Sequence, residues 1–266
     1  MFTYAAICDV PAETLLRVTA LLWAHRHLCG ARPSRRAGSA RTQAKLVLRW
    51  LRDGAPLRIL ATEAGVSIST AYRYLHEGIE LIAEQAPDLH DVLDRARREG
   101  WSHLSLDGTL IPIDRTDERK ENGHHLWYSG KHKRQGGNVQ VLADPTGFPV
   151  WSSPVEPGSV PDITAARTHC LGALYQAAAD GIPTLTDKGY QGAGIGVHYP
   201  VKGHGLHVDN RCYNMLLTAV RAIGERAHAE LKGRWRCLQR VRLCPWKIGR
   251  IVAATIFLSN LQRGRY

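Results

Sequence analysis

Residues 103–113 read HLSLDGTLIPI, and this segment indicates the fold of the C-terminal two thirds of the chain. Apolar and polar residues alternate in it, with Leu104 and Leu106 on one side. Such alternation is typical of a β-strand with one buried face. The first half of the segment ends on Asp107-Gly108, where we expect the strand to reach the rim of its sheet. Because an aspartate before glycine is usually only a turn residue, Asp107 alone is weak evidence of a site.

The segments that follow predict more strands and several helices. Residues 138–155, NVQVLADPTGFPVWSSPV, predict a β-hairpin around an Asp-Pro-Thr-Gly turn. Residues 162–181 predict one helix, and IPTLTDKGYQG after it predicts a short buried strand that ends on Asp187. A further short strand, HYPVKG, precedes two predicted helices at 209–239 and 245–263. Strands followed by alternating helix and strand favour an α/β fold, a mixed sheet flanked by helices, over residues 101–266.

The first hundred residues predict an all-α unit that closes near Gly100. Within it, a short helix stops at Gly65 and a second helix begins after a serine cap, which is typical of a helix-turn-helix. The alternative is any small helical hairpin. If the pair binds DNA, the residues that open its second helix face the major groove: Ser67, Ser69, Thr70 and Arg73.

The charge of the chain is distributed very unevenly. The formal net charge is +11, yet residues 101–201 contain 8 basic and 10 acidic side chains. Residues 202–266 contain 13 basic and 3 acidic side chains. A charge run can be a solvated face, but this excess favours nucleic acid, here double-stranded DNA, as the partner.

The cysteines and the hydropathy exclude other classes of protein. Six scattered cysteines without a C-x-x-C spacing argue against a zinc site and against a disulfide framework. No apolar run approaches the length of a transmembrane helix, so we expect a cytoplasmic protein without a membrane partner.

The helix written VRAIGERAHAELKGRW, residues 220–235, contains two glutamates in a basic field. Glu230 has an arginine four residues away on either side, an exposed ladder worth about 0.3–0.5 kcal/mol per pair. Glu225 instead shares a stripe of the helix with Arg221, His228 and Lys232. A second, apolar stripe must pack on the sheet: Val220, Ile223, Ala227, Leu231, Trp235 and Leu238.

Several stretches together resemble the DDE superfamily of insertion-sequence transposases, close to the insertion-sequence-five group. They are LSLDGTLIPIDR, YSGKHKRQGGNVQVLADPTG, PGSVPDITAAR, LTDKGYQGAG and VRAIGERAHAELKGRW, which cover most of residues 100–240. The family signature Tyr-x2-Arg-x3-Glu-x6-Lys is met by Arg221, Glu225 and Lys232, but Thr218 stands at the tyrosine position.

The resemblance implies an RNase H-like fold with Asp107, Asp187 and Glu225 as catalytic and metal-binding residues. Three carboxylates suit two Mg²⁺ ions, and Mn²⁺ is an expected substitute. The resemblance also implies that Arg221 and Lys232 contact element-end DNA, and that the protein acts as a homo-oligomer on DNA.

Other charged residues near these motifs have two interpretations. Lys131, Lys133 and Arg134 are candidates for phosphate contact, whereas Lys188 either contacts phosphate or only balances the charge of Asp187. Asp162 stands where relatives often have aspartate, but we interpret it as the N-cap of the helix that follows.

The expected function is that of a transposase, which binds the terminal inverted repeats of an insertion sequence, cleaves DNA strands and transfers them. One alternative is a catalytically silent or domesticated helix-turn-helix DNA-binding protein. Another is a plain nuclease that shares the three acids.

Overall fold

The computed structural model of the chain describes residues 9–30 and 35–264, without the side chain of Glu225. The helices in these ranges are α1 (Ala12–Leu28), α2 (Ala40–Asp53), α3 (Leu57–Ala64), α4 (Ile68–Ala83), α5 (Leu89–Glu99), α6 (Asp162–His169), α7 (Leu171–Ala179), α8 (Val208–Arg234) and α9 (Ile248–Leu261). The strands are β1 (Leu104–Pro112), β2 (Tyr128–Ser129), β3 (Arg134–Ala143), β4 (Pro149–Ser152), β5 (Glu156–Pro157), β6 (Thr184–Leu185) and β7 (Val197–His198). Short 3₁₀ helices lie at Lys188–Tyr190, Arg236–Gln239 and Pro245–Lys247.

The strands form one mixed sheet in the order β2-β3-β1-β6-β7, and β4 and β5 also pair with β3. β1 is antiparallel to β3 on one side and parallel to β6 on the other. β6 and β7 are parallel as well. The sheet with helices around it confirms the predicted mixed α/β architecture.

β1 is longer than the sequence suggested, and the predicted position of Asp107 at a strand end is wrong. The strand continues through Asp107-Gly108 to Pro112 because β3 pairs with it over this whole length. Asp107 is opposite Val141 in the middle of this ladder. The dipeptide therefore forms no turn.

The helix predicted over residues 162–181 is divided in two. Cys170, with φ −144° and ψ −26°, separates α6 from α7. The N-cap of α6 is Pro161, so the interpretation of Asp162 as the N-cap is wrong. Asp162 is the first residue of the helix, and its carboxylate is bound by other side chains.

The two helices predicted around Gly65 are present as α3 and α4. Gly65 ends α3 with φ 65°, a left-handed conformation that glycine adopts without a steric penalty. Ser67 caps α4 by accepting a hydrogen bond from the backbone N–H of Thr70. The Thr70 side chain is buried, and its hydroxyl bonds with that of Ser67. Among the predicted DNA-contacting residues of this pair, Ser67, Ser69 and Arg73 are exposed.

Two hydrophobic cores lie on opposite faces of the sheet. One core joins α1–α4 with α9, the 236–239 segment and residues of β3 such as Val139 and Val141. The other joins α5, α6 and α7 with β1 and β4. Helix α5 precedes residue 100, yet it packs in the second core with elements that follow residue 100. The boundary that the sequence suggested near residue 100 therefore does not separate two hydrophobic cores.

The structure also describes the cysteines and the apolar character of the helices. Five cysteines in these ranges are free thiols, and Cys8 lies outside the described residues. Within the same ranges, no helix combines the length and the apolar character needed to span a membrane.

Glu80 connects the N-terminal helices to α9, and its replacement tests that connection. Its carboxylate binds Lys247 and Arg250, both at 2.6 Å. Burial alone would raise the Glu80 pKa, but hydrogen bonds from these two cations keep the pKa below its ordinary 4.5. The contribution to stability is therefore complete above about pH 4.5 and is lost as the pH falls through the folded-state pKa.

We expect Glu80→Gln to lower the free energy of unfolding by about 1 kcal/mol at neutral pH, as for a partly exposed pair. The loss should shrink as the pH falls below 4.5, and urea unfolding between pH 3 and 7 measures it. The control is Glu121→Gln, at an exposed position. An equal loss at every pH would contradict the ionic origin.

Candidate functional site

Asp107 on β1 and Asp187 after β6 lie at the same level of the sheet. In the parallel ladder between these strands Ser105 is opposite Leu185, and each aspartate comes two residues later. The backbone N–H of Thr186 donates to β7 at 2.8 Å, which continues the pairing to the residue before Asp187. Since neighbouring strands are about 4.8 Å apart, the register places the two acidic residues next to each other.

Helix α8 crosses β1 at very short range beside Asp107. A Cβ atom on Gly224 would lie 2.8 Å from the Ser105 side chain, so only glycine permits this approach. One helical turn later, Nε2 of His228 lies 3.3 Å from Oδ2 of Asp107. Glu225 belongs to this part of the helix, but its side chain is outside the described groups.

Three members of the predicted polar stripe of α8 face β1: Arg221, His228 and Lys232. Nζ of Lys232 donates to the carbonyl oxygen of Leu110 at 3.1 Å, and Arg221 lines a small space beside Asp107. Burial lowers the pKa of Lys232, an effect that the charge of Asp107 opposes and that of Arg134 reinforces.

Positive groups stabilise the ionised form of Asp107. Burial would raise its pKa, but the hydrogen bond and charge of His228 hold the pKa below its ordinary value. The charges of Arg221 and Lys131 act in the same direction. Asp107 is therefore a carboxylate, the form needed for a metal ligand.

Asp162 is a third acid close to Asp107, on the far side of β1. Its Oδ1 accepts from Nδ2 of Asn138 at 2.8 Å, and its Oδ2 binds Nζ of Lys131 at 3.0 Å. A Cβ atom on Gly108 would lie only 2.3 Å from Oδ1 of Asp162. Glycine after Asp107 thus provides space for the carboxylate rather than a turn.

A buried polar network supports this arrangement, and the sequence analysis missed it. The hydroxyl of Tyr190 donates to Oε1 of Gln140 at 2.5 Å, and Nε2 of Gln140 donates to Oδ1 of Asn138. Burial, followed by the charges of Asp162, Asp107 and Asp187, raises the Tyr190 pKa well above its ordinary value. The available signal was the pair of polar residues at alternate positions in the apolar strand NVQV.

A cleft of about 420 Å³ opens on the side of Asp162 and Asp187. Three lysines line it, Lys131, Lys188 and Lys202, of which the last was not among the predicted site residues. Lys133 and Arg134, predicted to contact phosphate, are exposed and follow Lys131 in the chain. Ser67, Ser69, Thr70 and Arg73 lie on the helix pair α3–α4 and do not line this cleft.

The residues present fit a hard divalent cation. Asp107 and Asp187 offer carboxylate oxygens, the ligands that Mg²⁺ prefers. Burial lowers the pKa of Lys131, yet its Asp162 hydrogen bond and the charges of Asp162, Asp187 and Asp107 raise it overall, so the site favours positive charge. No group of three or more metal-binding side chains is close enough to hold an ion among the described residues, which exclude the Glu225 carboxylate.

Two predictions about the other faces of α8 were wrong. Val220 and Ile223 are 37% and 40% exposed because the N-terminal half of the helix is not covered by the sheet. The remaining members of the apolar stripe are buried as predicted: Ala227, Leu231, Trp235 and Leu238. Glu230 forms its ion pair with Arg263, a contact beyond the reach of helical periodicity.

We expect Gly108→Ala to destabilise the fold by about 1–3 kcal/mol, as overpacking in a closely packed site does. The methyl group would collide with the Asp162 carboxylate. In an Asp162→Ala background the cost of Gly108→Ala should fall. Denaturant unfolding of the wild type, the two single variants and the double variant measures the difference. Gly172→Ala, with no atom within 4 Å of the new Cβ, is the matched control. Equal costs in both backgrounds would contradict the collision.

Comparison with known proteins gives one family for this arrangement. A solved structure described as the crystal structure of the Mos1 strand transfer complex has 14% sequence identity to the chain, over 87% of each. Its TM-score of 0.23 is too low to support an argument about fold or function. No curated protein matches the chain. Residues 106–260, more than half of the chain, match the family described as DDE superfamily endonuclease. The chain therefore belongs to the DDE superfamily endonucleases.

Proposed function

We propose that the protein is a transposase with an RNase H-like catalytic domain, which cuts DNA at the ends of an insertion sequence and joins them to a target. The observation that carries this proposal is the position of Asp107 and Asp187 on neighbouring parallel segments, with α8 packed beside Asp107. That helix contains Glu225, the third acid of the proposed set. Membership of the DDE superfamily endonucleases supports the same reaction class.

Asp107, Asp187 and Glu225 are the residues that would hold two Mg²⁺ ions, or Mn²⁺ in their place. When bound, such ions activate a water or a 3′-hydroxyl and stabilise the leaving oxygen of a phosphodiester.

The side chains around the acids hold them in place and receive the polyanionic substrate. Hydrogen bonding by His228 to Oδ2 of Asp107 orients this carboxylate and leaves its other oxygen for a ligand. The N–H of Gly189 donates to Oδ1 of Asp187 at 2.7 Å and orients the second carboxylate in the same way. Lys131 and Lys188 line the adjacent cleft, where their charges attract a phosphate backbone.

The remaining basic residues near the site are proposed to position the cleaved end of the element. Arg221 lies beside Asp107, and Lys232 is held on the carbonyl of Leu110. Exposed Lys133 and Arg134 extend the positive surface next to the cleft.

We further propose that the helix pair α3–α4 binds the terminal inverted repeats in double-stranded DNA. Ser69, Tyr72 and Arg73 are exposed on the first two turns of α4, where a recognition helix contacts base edges. Ser67 and Thr70 are engaged in the cap, so their part is to fix the start of the helix. Binding at two ends of one element requires at least two such surfaces, which supports a homo-oligomer on DNA.

Amide substitutions of the three acids test catalysis. We expect Asp107→Asn, Asp187→Asn and Glu225→Gln each to slow strand cleavage by at least about 10²- to 10³-fold, as loss of one transition-state-stabilising group does. The substrate is duplex DNA from the two flanks of the gene, assayed with Mg²⁺ and with Mn²⁺. Glu230→Gln on the same helix is the control and should cleave normally. Full cleavage by the triple variant would refute the proposed site, and wild-type binding without cleavage would favour a silent DNA-binding protein.

A separate substitution tests recognition by α4. We expect Ser69→Ala with Arg73→Ala to weaken binding to the flank duplexes by roughly tenfold or more, because lost base contacts cost about 1–3 kcal/mol each. Binding to a scrambled duplex should change less, and fluorescence anisotropy measures both. Arg98→Ala, at an exposed position on α5, is the control. Equal loss on both duplexes would instead indicate phosphate contact.

A further inference from the structure

A second cleft, of about 460 Å³, lies between the helix pair and the C-terminal segment and takes no part in the site described above. Arg58, Tyr72, Arg236, Arg240 and Arg242 are among the residues that line it, and we call it the arginine cleft. We propose that the arginine cleft binds backbone phosphates of the duplex that the helix pair recognises. The inference rests on the proposed DNA binding and adds a contact surface to it.

The charge of the arginine cleft is not balanced by neighbouring acids. Arg240 pairs with Asp114, and the acidic lining residue Asp53 pairs with Arg49 at 3.3 Å. Arg58, Arg236 and Arg242 are exposed. In the described ranges, no ion pair or hydrogen bond joins the guanidinium groups of these three to any other residue.

Three unpaired guanidinium groups in one concave surface repel one another unless an anion joins them. Guanidinium binds phosphate oxygens through two parallel hydrogen bonds, which makes arginine well suited to a phosphate backbone. A series of phosphates also matches several arginines at once, whereas a single free anion would meet only one or two. The chemistry of the cleft therefore favours a polyanion.

The C-terminal wall of the cleft is fixed by the fold. Cys237 and Leu238 are buried in the core between Arg236 and Arg240. The backbone N–H of Val241 donates to the carbonyl of Pro112 at 2.8 Å. Gly54, at the opposite wall, has φ 64° and approaches the backbone of Arg236 so closely that a Cβ atom would lie 3.4 Å away. Both walls are thus held before any ligand binds, which lowers the entropy cost of binding.

The position of the cleft selects duplex DNA over an acidic peptide. Ile68 and Tyr72 line it from the first turns of α4, and the same turns present Ser69 and Arg73 for base contact. Tyr72 is 45% exposed, which provides apolar surface against deoxyribose beside the guanidinium groups. A duplex read by α4 would place its flanking backbone along this cleft, and such phosphate contacts fix the register of a DNA-binding helix.

The cleft also joins the recognition surface to the candidate active site. Arg236 lies two residues after the end of α8, the helix that contains Glu225, His228 and Lys232. Phosphates held by Arg236 and Arg242 would therefore set the path of the DNA from the helix pair towards the acids.

The experiment compares two triple variants that remove the same charge. The test variant is Arg58→Ala with Arg236→Ala and Arg242→Ala. The control variant is Arg17→Ala with Arg41→Ala and Arg98→Ala, at exposed positions on α1, α2 and α5. A third variant replaces the three cleft arginines by lysine, which keeps the charge. Circular dichroism and thermal unfolding establish that each variant is folded.

Anisotropy titrations of flank duplexes over a salt series give the slope of log K against log salt. Each lost phosphate contact should reduce the magnitude of this slope by about 0.9, so the test variant should lose roughly 2–3 units and bind at least about tenfold more weakly. The loss should be similar for flank and scrambled duplexes, because phosphates have no sequence information. The control variant and the lysine variant should keep most of the wild-type slope.

Each other outcome has a definite meaning. If the wild type binds duplex DNA and the test variant keeps its slope, the arginine cleft is not a phosphate site, and the proposal is overturned while the proposed function stands. If the wild type does not bind duplex DNA at low salt, the proposed function fails as well. A lysine variant that loses as much slope as the alanine variant would also overturn the charge-based proposal. If the triple alanine variant does not fold, Arg236→Ala and Arg242→Ala are measured singly, and each should reduce the slope by about 0.9.

Discussion

The close packing of α8 on β1 is the contact on which the candidate site depends. At Gly224 the helix leaves no room for a side chain above Ser105, and a Cβ atom on Gly147 would lie 1.9 Å from the carbonyl oxygen of Ile223. Two glycines thus set the height of the helix over the sheet. Only at this height do His228 and Asp107 meet, and any larger residue at either glycine would separate them. Gly224 in the helix and Gly147 in the β3–β4 turn are therefore required by the site as much as by the core.

The same contact explains how opposite charges are brought together from distant segments. The sheet segment between residues 101 and 201 is slightly acidic, whereas residues 202–266 are strongly basic. When α8 lies on β1, its positive stripe neutralises part of the acidic field, and Asp107 remains ionised although it is partly buried. Lys131 forms an ion pair with Asp162 from the other side. Acids that would repel a phosphate backbone are consequently surrounded by cations that attract it.

Periodicity and turn chemistry were sufficient to predict the elements, since both depend on neighbouring residues. The helix that ends at Gly65 and the hairpin around Gly147 agree with the structure. Pairing over long sequence distances was not predictable in this way. Pairing with β3 continues β1 through Asp107. Glu230 forms its ion pair with Arg263 rather than with an arginine of its own helix. The register of β1 and β6 aligns Asp107 with Asp187, a relation between segments 80 residues apart that no local pattern contains.

The shared core limits how the proposed DNA-binding and cleaving surfaces can move. α4 presents its first turns to solvent, while Ile79, Ile82 and Ala83 nearer its end belong to the core that also contains α9. In the same part of the helix, the Glu80 carboxylate forms ion pairs with Lys247 and Arg250. A rotation of the helix pair against the sheet would have to open this core and break these ion pairs. This packing therefore opposes a hinge at residue 100, and in the proposed DNA complex it would set the path of a duplex between α4 and the acids.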